Sequence, residues 1–270
     1  MTTELPQHHP LDIRFPSMLR SDKRLSGVFN ALPCPGIIEM CAYAGFDFVI
    51  IDNEHGSAGL ETTENMLRAA RASGIVPVVR CLEKDISRVL DMGASAVQIP
   101  MVNTAAQARA LVAQVRYPGL GQSGGKRGCA FNSRASGYGA FGGAAHSQRS
   151  NEGIALIVML ETPEAVSNAS EIASVEGVDA VFVGPNDLAY AMGFESNWAE
   201  PQVAAAIEQA LRAITKAGKC GGTIALTGED QNKYAAMGAR YFATVTTSLI
   251  TRAFKQAADS GRAKDASITY

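Results

Sequence analysis

Glu161 and Asp187 are the residues of this sequence best placed to bind a divalent metal ion. Glu161 directly follows the apolar run Ile-Val-Met-Leu160, and Asp187 closely follows the apolar run Val-Phe-Val183. Two carboxylates held together without a cation repel each other, so the pKa of one of them rises. A hard dication keeps both ionised and leaves coordination positions for water and substrate oxygens. The alternative is helix N-capping, because a predicted helix begins near each residue.

His55, Arg80 and Asp91 are the candidate catalytic residues. His55 ends the motif Asp52-Asn-Glu-His55, and a histidine suits proton transfer near neutral pH, although a lone histidine is often structural. Arg80 ends the run Val-Pro-Val-Val-Arg80. It would hold a carboxylate or an enolate bidentately, with a surface ion pair as the alternative. Asp91 lies late in a predicted helix, where the helix dipole disfavours a carboxylate, so we expect a partner such as His55.

Short apolar runs alternate with segments of helical periodicity along the chain. The predicted strands cover residues 25–31, 46–52, 76–80, 96–99, 154–160, 180–183, 220–225 and 241–244. The predicted helices cover residues 35–44, 60–73, 86–92, 105–116, 163–173, 186–192, 201–217, 230–237 and 249–258. Apolar strands separated by crossover helices are typical of a parallel sheet. Eight such units in roughly 250 residues indicate an α/β protein with a TIM (β/α)8 barrel.

The barrel is predicted to occupy residues 25–270, after an N-terminal extension of residues 1–24. A doubly wound sheet is the rival fold, but it normally needs fewer units, and no dinucleotide fingerprint opens the first unit. Active sites of barrels form at the carboxyl ends of the strands. The polar residues predicted at those ends are Asp52, Glu54, His55, Arg80, Glu161 and the run Gly184-Pro-Asn-Asp187.

Composition excludes several classes of protein. The 270 residues carry a formal net charge of −2, so no basic footprint for nucleic acid or an anionic membrane is visible. The five cysteines are scattered without a C-x-x-C pair, which argues against a zinc ribbon and favours reduced thiols in the cytoplasm. The first residues lack the apolar core of a signal peptide, and no apolar run has the length of a transmembrane helix.

The segment 117–153 is the one long irregular stretch between predicted elements. It is rich in Gly, Ser, Arg and Asn, and it is too long for a simple connection. A connection of this length before a strand often forms a lid or a subunit contact, so we expect one of these roles.

Several motifs together resemble the HpcH/HpaI family of metal-dependent pyruvate aldolases. They are Phe46-Asp-Phe-x-x-Ile-Asp-x-Glu-His55, Val-Val-Arg80, Ile-Pro-Met-Val102, Arg116-Tyr-Pro, Lys126-Arg-Gly, Glu161-Thr, Val-Glu-Gly-Val-Asp179 and Gly184-Pro-x-Asp-Leu188. The match runs from about residue 25 to residue 258 and keeps the order of the motifs. The combination is highly specific, whereas each motif alone is weak.

The resemblance implies a role for each candidate residue. Glu161 and Asp187 match the metal ligands, with Mg²⁺ or Mn²⁺ expected and Co²⁺ or Zn²⁺ as further possibilities. Pyruvate would bind the metal and Arg80, and the backbone around Gly184, Pro185, Asn186 and Asp187 would receive its carboxylate. His55 matches the acid/base histidine, with Asp91 as its partner. Asp52 and Glu54 match acidic neighbours that shape the site.

The resemblance further implies cleavage or formation of 4-hydroxy-2-oxoacids from pyruvate and an aldehyde. Alternatives are oxaloacetate decarboxylation or other enolate chemistry, a citryl-type lyase that would need a coenzyme A site, and a non-catalytic barrel that only binds an oxoacid. The family forms hexamers, and the helix at 249–258 could pack on a neighbouring barrel or be the barrel's own eighth helix. The chain departs from the family at Met159, where the family carries a glutamine, and at Ala-Thr-Val-Thr-Thr247, which lacks an acid.

Overall fold

The computed structural model describes residues 9–119 and 124–262. The strands are β1 (Leu25–Asn30), β2 (Phe48–Asp52), β3 (Val76–Arg80), β4 (Ala96–Ile99), β5 (Ala155–Leu160), β6 (Ala180–Val183), β7 (Cys220–Ile224) and β8 (Ala239–Val245). They form one closed barrel of parallel strands in chain order, in which β8 pairs with β1. The predicted TIM barrel is confirmed.

Helices connect the strands on the outside of the barrel. They are α1 (Phe15–Arg20), α2 (Pro35–Tyr43), α3 (Leu60–Ser73), α4 (Ile86–Asp91), α5 (Ala105–Val115), α6 (Ala144–Gly153), α7 (Pro163–Ser167), α8 (Ala169–Ala173), α9 (Pro185–Ala191), α10 (Pro201–Lys216), α11 (Gly228–Ala235) and α12 (Thr246–Arg262). The single helix predicted over 163–173 is two helices, because Asn168 interrupts it with φ −91° and ψ 5°. The Asn168 side chain donates a hydrogen bond to the Asn103 carbonyl at 2.8 Å.

The strands are apolar on both faces because each face meets a separate apolar layer. One layer packs between the sheet and the surrounding helices, and the other fills the barrel interior. Phe48, Phe182 and Tyr241 are fully buried in the interior, with their ring centroids 4.5 Å (Phe48–Tyr241) and 5.7 Å (Phe182–Tyr241) apart. Gly27 has no side chain where a Cβ atom would lie 2.2 Å from the Phe48 ring. The barrel interior is a packed core, so a ligand can reach only the layer of side chains at the carboxyl ends of the strands.

The predicted N-terminal extension supplies the helix that closes the base of the barrel. Phe15 and Leu19 of α1 are buried in the interior cluster. The Phe15 ring lies 5.8 Å from the Phe48 ring and 6.0 Å from the Tyr241 ring, measured between centroids. The buried face of α1 therefore packs as part of the barrel's core, whereas residues 22–24 after the helix are exposed.

The described parts of the segment 117–153, residues 117–119 and 124–153, lie at the base of the barrel, beside the amino ends of the strands. Arg127 N–H donates to the Arg116 carbonyl at 3.0 Å, and Arg116 donates to the Ile154 carbonyl just before β5 at 2.9 Å. His9 and Phe141 stack with ring centroids 4.6 Å apart. The expectation of a lid is wrong for the described part of this segment, because a lid must lie at the opposite end. A subunit contact stays a prediction.

Helix α12 differs from the other long helices in its exposure. Almost all of its described side chains face solvent, including Leu249 and Phe254, and Phe254 is 71% exposed. It does not cover the barrel as an eighth helix would. In the part of the chain that the structure describes, no helix is long and apolar enough to cross a membrane.

Candidate active site

The carboxyl ends of the strands surround one cavity of about 360 Å³ at the mouth of the barrel. Its polar lining contains residues that the sequence predicted: Asp52, His55, Arg80, Glu161, Gly184, Pro185, Asn186 and Asp187. Glu54 joins them through an ion pair with Arg80. Parallel strands bring these residues together from four different parts of the chain, as the sequence analysis predicted.

Arg80 is held at the mouth by two carboxylates. Its Nε and Nη2 atoms donate to the two oxygens of Asp52 at 2.9 and 2.6 Å, and its Nη1 atom lies 3.3 Å from Glu54 Oε2. The guanidinium also stacks over the Phe29 ring, 4.8 Å from its centroid. Burial opposes the charge of Asp52, but Arg80 outweighs it, so the pKa of Asp52 lies below its ordinary value. Arg80 is therefore an inward-facing arginine with fixed geometry, and the surface alternative is wrong.

Asp52 also shapes the short loop that presents His55. Asp52 Oδ1 accepts hydrogen bonds from the backbone N–H groups of Glu54 at 3.1 Å and His55 at 3.3 Å. The His55 side chain is 64% exposed and places Nε2 3.9 Å from Glu54 Oε2. His55 thus stands at the rim of the cavity, within reach of Glu54 and open to an incoming substrate.

Glu161 is the most deeply buried carboxylate of the mouth, at 2% exposure. Its Oε2 atom accepts a hydrogen bond from the Met101 N–H at 2.8 Å, and Met101 has the positive φ of 57°. Burial, with repulsion from Asp187 and Glu54, raises the pKa of Glu161 to about 7. A divalent cation held by Glu161 and Asp187 would stabilise this carboxylate in its ionised form.

Gly184 makes room for the Glu161 carboxylate. A Cβ atom at position 184 would lie 2.5 Å from Glu161 Oε1 and 2.7 Å from its Cγ. The backbone at Gly184 is extended, with φ −87° and ψ 102°, a conformation that other residues also adopt. A glycine is therefore required at this position by the close approach of Glu161 and not by the backbone conformation. The backbone of the β6 end therefore lies against the group that we predicted to bind metal.

Helix capping does not account for the two predicted metal ligands. Thr162, not Glu161, caps α7, because its side chain accepts from the Ala165 N–H at 3.1 Å. Helix α9 begins after Gly184 without a side-chain cap, and Asp187 lies inside its first turn. Both carboxylates are left to face the cavity.

Fewer backbone N–H groups can bind the oxoacid carboxylate than the sequence predicted. Pro185 has no N–H, and the Gly184 N–H already donates to the Leu160 carbonyl at 3.0 Å. The candidate donors to the oxoacid carboxylate are therefore the N–H groups of Asn186 and Asp187 at the start of α9. The Asn186 side chain is oriented by Trp198, whose Nε1 donates to Asn186 Oδ1 at 2.6 Å, a contact with no sequence signal.

Asp91 does not meet His55 within this chain. Helix α4 runs from the mouth to the base, where Ser95, just before β4, bonds to Pro77 at the start of β3. Asp91 at the end of α4 accepts instead from Arg127 Nη2 at 3.0 Å. The sequence correctly indicated that Asp91 needs a partner, but it could not show which end of the barrel the helix terminus reaches.

The donor set fits a divalent cation that is shared with substrate. Among the described residues there is no cluster of three or more metal-binding side chains, so the site is not a closed protein cage. Glu161 and Asp187 would supply two hard oxygen ligands and leave the remaining positions for water or substrate oxygens, as Mg²⁺ and Mn²⁺ sites commonly do.

The sequence analysis missed the apolar lining of the cavity. Its main members are Phe29, Ala31, Phe182, Ile224 and Val245, together with Met159, which the sequence singled out for another reason. Each except Ala31 is an inward-facing residue near the carboxyl end of its strand, so strand periodicity could have found them once the barrel was assumed.

The fold and the mouth together define a (β/α)8 barrel with paired carboxylates and a fixed arginine at the carboxyl ends of its strands. The chain belongs to the HpcH/HpaI aldolase/citrate lyase family, whose model matches residues 25–251. It is a carbon–carbon lyase of the aldolase type.

Similar proteins support this assignment over most of the chain. A hydroxypyruvate/pyruvate aldolase of Pseudomonas aeruginosa is 38% identical over 249 residues, or 91% of each chain. A 4-hydroxy-2-oxo-heptane-1,7-dioate aldolase of Shigella sonnei is 36% identical over 88% of this chain and 91% of its own. The crystal structure of an HpcH/HpaI aldolase/citrate lyase family protein from Burkholderia cenocepacia J2315 is 31% identical, with a TM-score of 0.88 over 93% of this chain and 100% of that one.

Proposed function

We propose that this aldolase joins pyruvate to an aldehyde, and cleaves the resulting 4-hydroxy-2-oxoacid, at a divalent metal ion held by Glu161 and Asp187. The observation that carries the proposal is the charge balance of the mouth. Among the described residues that line the mouth, Arg80 is the one permanent cation. It is already paired, and the four carboxylates of Asp52, Glu54, Glu161 and Asp187 surround it. Such a site needs further positive charge to hold a small anionic substrate.

Each side chain of the mouth has a part in this chemistry. Arg80, fixed by Asp52 and Glu54, directs its guanidinium at the keto oxygen of the oxoacid and stabilises the negative charge that develops there. The N–H groups of Asn186 and Asp187 receive the carboxylate. His55, exposed at the rim, exchanges the proton of the 4-hydroxyl group, and Glu54 orients its ring.

The metal ion, when bound, supplies Lewis-acid stabilisation of the enolate charge. Mg²⁺ or Mn²⁺ suits the two carboxylate ligands best. When no cation is bound, the raised pKa of Glu161 keeps part of the population protonated near neutral pH. Metal binding should therefore release protons, and the affinity should rise with pH through the pKa of Glu161, about 7.

Exchange of the pyruvate methyl protons with solvent deuterium tests the proposal. The exchange, followed by NMR without an aldehyde, should require added Mg²⁺ or Mn²⁺. Glu161→Gln and Asp187→Asn should each lower the exchange rate by roughly a hundredfold or more, because each variant removes a charged ligand. Binding of Mn²⁺, measured by the loss of the free-ion EPR signal, should weaken in parallel.

Glu164→Gln is the matched control, since Glu164 lies in the first turn of α7, three residues beyond Glu161. It should retain the exchange and the metal affinity. Undiminished exchange in chelator-treated Glu161→Gln would defeat the metal assignment. Metal-dependent decarboxylation of oxaloacetate without any exchange of pyruvate protons would favour the decarboxylase alternative.

We also infer that the chain forms a homo-oligomer, with a hexamer expected from the family, in which α12 packs on a neighbouring subunit. The exposed apolar side chains of α12 support this proposal. All five cysteines are free thiols, which supports the predicted reducing, cytoplasmic environment.

A further inference from the structure

The mouth of the barrel is divided into a charged half and an apolar half. The charged half lies on β2, β3, β5 and β6, which carry Asp52, Arg80, Glu161 and the turn into α9. The apolar half lies on β7, β8 and β1, whose ends contribute Ile224, Val245 and Phe29 to the same cavity. Because the barrel closes from β8 to β1, these three residues form one continuous wall between β6 and β2.

The floor under both halves is also apolar. Met159 is 2% exposed and Phe182 is fully buried. The Phe182 ring contacts the Phe29 ring edge-on, with 5.7 Å between the ring centroids. The lining also contains Tyr190 and Ser196, which contribute hydroxyl groups. The wall therefore offers area for apolar contact and no charge.

The oxoacid and the side chain of the aldehyde must occupy different halves of the cavity. An oxoacid carries a carboxylate and a keto oxygen, and the groups that can bind them, Arg80 and the start of α9, lie in the charged half. For the new bond, C3 of pyruvate gives its proton to a base and attacks the aldehyde carbon, and the aldehyde oxygen takes up a proton. The aldehyde carbon must therefore lie beside C3, and its side chain then extends over the apolar half.

The described residues of the apolar half offer no side-chain cation to an acidic aldehyde. Among the described lining residues, Arg80 is the only permanent cation, and its guanidinium is bonded to Asp52 and Glu54. A carboxylate on the aldehyde side chain would lose water against Ile224 and Val245 without a charged partner.

From this division of the cavity, and resting on the proposed function, we infer that the aldehyde of this enzyme carries an uncharged, apolar side chain that packs on Ile224, Val245 and Phe29. The enzyme then differs in substrate class from an aldolase of dicarboxylic hydroxy-oxoacids, whose aldehyde carries a carboxylate. Val245 is the residue that sets this preference at the rim, because it is only partly buried and stands at the carboxyl end of β8.

A pair of aldehydes of equal size tests the inference. 4-Methylpentanal and 4-oxobutanoate have the same number of non-hydrogen atoms and differ in an isopropyl group against a carboxylate. In metal-supplemented aldol addition to pyruvate, kcat/KM for 4-methylpentanal should exceed that for 4-oxobutanoate by roughly tenfold or more. Equal values, or a preference for 4-oxobutanoate, would overturn the inference.

Two substitutions at one position separate charge from shape. Val245→Lys should lower the preference ratio by roughly tenfold or more, because its ammonium group can pair with the carboxylate of 4-oxobutanoate. Val245→Met, which has similar length and no charge, should keep the ratio within about twofold of the original. An unchanged ratio in Val245→Lys would show that Val245 does not face the aldehyde.

Exchange of the pyruvate methyl protons, measured without aldehyde, separates this inference from the proposed function. Suppose that exchange is intact in the original chain and in both variants, but the kcat/KM ratios for the two aldehydes differ from those expected. Then only the inference about the aldehyde side chain fails. If the original chain shows no exchange at all, both proposals fall together. A Val245→Lys protein without exchange counts as misfolded, and the aldehyde pair on the original chain then decides.

Discussion

Arg80, Glu161 and Gly184 show how single residues are fixed at the mouth by contacts that the rest of the chain provides. Asp52 and Glu54 hold the guanidinium of Arg80 in one orientation. The Met101 N–H holds one oxygen of Glu161, and the bare Cα of Gly184 leaves space for the other. Preorganised groups of this kind lose little freedom when substrate binds, which favours catalysis.

Gly184→Ala should disable the site without unfolding the protein. The added methyl group would lie 2.5 Å from Glu161 Oε1, so the carboxylate must leave its position. We expect a fall of roughly a hundredfold in pyruvate proton exchange and a weaker Mn²⁺ affinity, with the EPR assay reporting the second directly.

Gly228→Ala is the control for this substitution, because Gly228 begins α11 and a Cβ atom there meets nothing within 4 Å. It should retain exchange and metal affinity. Full Mn²⁺ affinity in Gly184→Ala would mean that Glu161 is not a ligand or that the β6 end moves without cost.

Helix α1 shows that an element outside the eight repeating units can be part of the core. Its Phe15 ring reaches the interior layer formed by Phe48 and Tyr241. The barrel is thus closed at its base by apolar packing and open at its mouth, which confines the chemistry to one end.

Phe15→Ala should lower the free energy of unfolding by about 3–5 kcal/mol, because it leaves a cavity under the barrel. Urea unfolding measures the loss, and activity at low temperature should survive since the mouth lies at the other end. Ser17→Ala, on the exposed side of the same helix, should cost no more than about 0.5 kcal/mol. A loss in Phe15→Ala as small as in this control would contradict the proposed closure.

The helix α6 and its neighbours carry a histidine whose burial makes stability depend on pH. His146 is 1% exposed, and its ring meets the rings of Tyr117 and Phe131 edge-on at 6.0 and 5.9 Å between centroids. Burial, together with the charges of Arg127, His9 and Arg149, lowers the pKa of His146 to about 4.

The sign of the effect follows from this lowered pKa. Between its ordinary value of about 6.5 and the folded value of about 4, the unfolded chain binds a proton at this histidine that the folded chain does not. Stability is therefore lost as the pH falls through this window, by about 2 kcal/mol between pH 7 and pH 5. His146→Phe should remove this part of the pH dependence, so the difference in unfolding free energy between the two proteins should change with pH. A difference that stays constant from pH 7 to pH 5 would show that the buried ring does not titrate in this way.

At the scale of the whole molecule, the exposed helix α12 is the feature that a single chain does not explain. Phe254 is 71% exposed, and the apolar side of the helix has no covering element among the described residues of this chain. An apolar helical surface of this kind is typical of an interface between subunits.

Phe254→Glu should shift the protein to a smaller assembly, because a buried unpaired carboxylate disfavours an apolar interface. Sedimentation equilibrium measures the change in mass. Gln256→Glu introduces the same charge two residues further along the helix and should leave the mass unchanged. A monomeric original chain would contradict the proposed oligomer, and an unchanged mass in Phe254→Glu would contradict the role of α12.

The sequence by itself determined the barrel and most of the charged residues at its mouth. Apolar strands and amphipathic helices are set by the pattern of neighbouring residues, and a closed parallel sheet then places every residue that follows a strand at the same end. Asp52, Glu54, His55, Arg80, Glu161 and Asp187 could therefore be assigned to one rim before any contact was known.

The tertiary structure alone decided which distant groups meet. The direction of α4 carries Asp91 to the base, where it binds Arg127, and the path of 124–153 keeps that segment away from the mouth. The fit of Glu161 against Gly184 and the apolar wall of Ile224 and Val245 likewise depend on packing between separate elements. Local periodicity reports only which way a residue faces, whereas its partner depends on the three-dimensional path of the whole chain. For that reason the position of the two proposed metal ligands at the mouth was predictable from the sequence, and the apolar wall proposed to face the aldehyde was not.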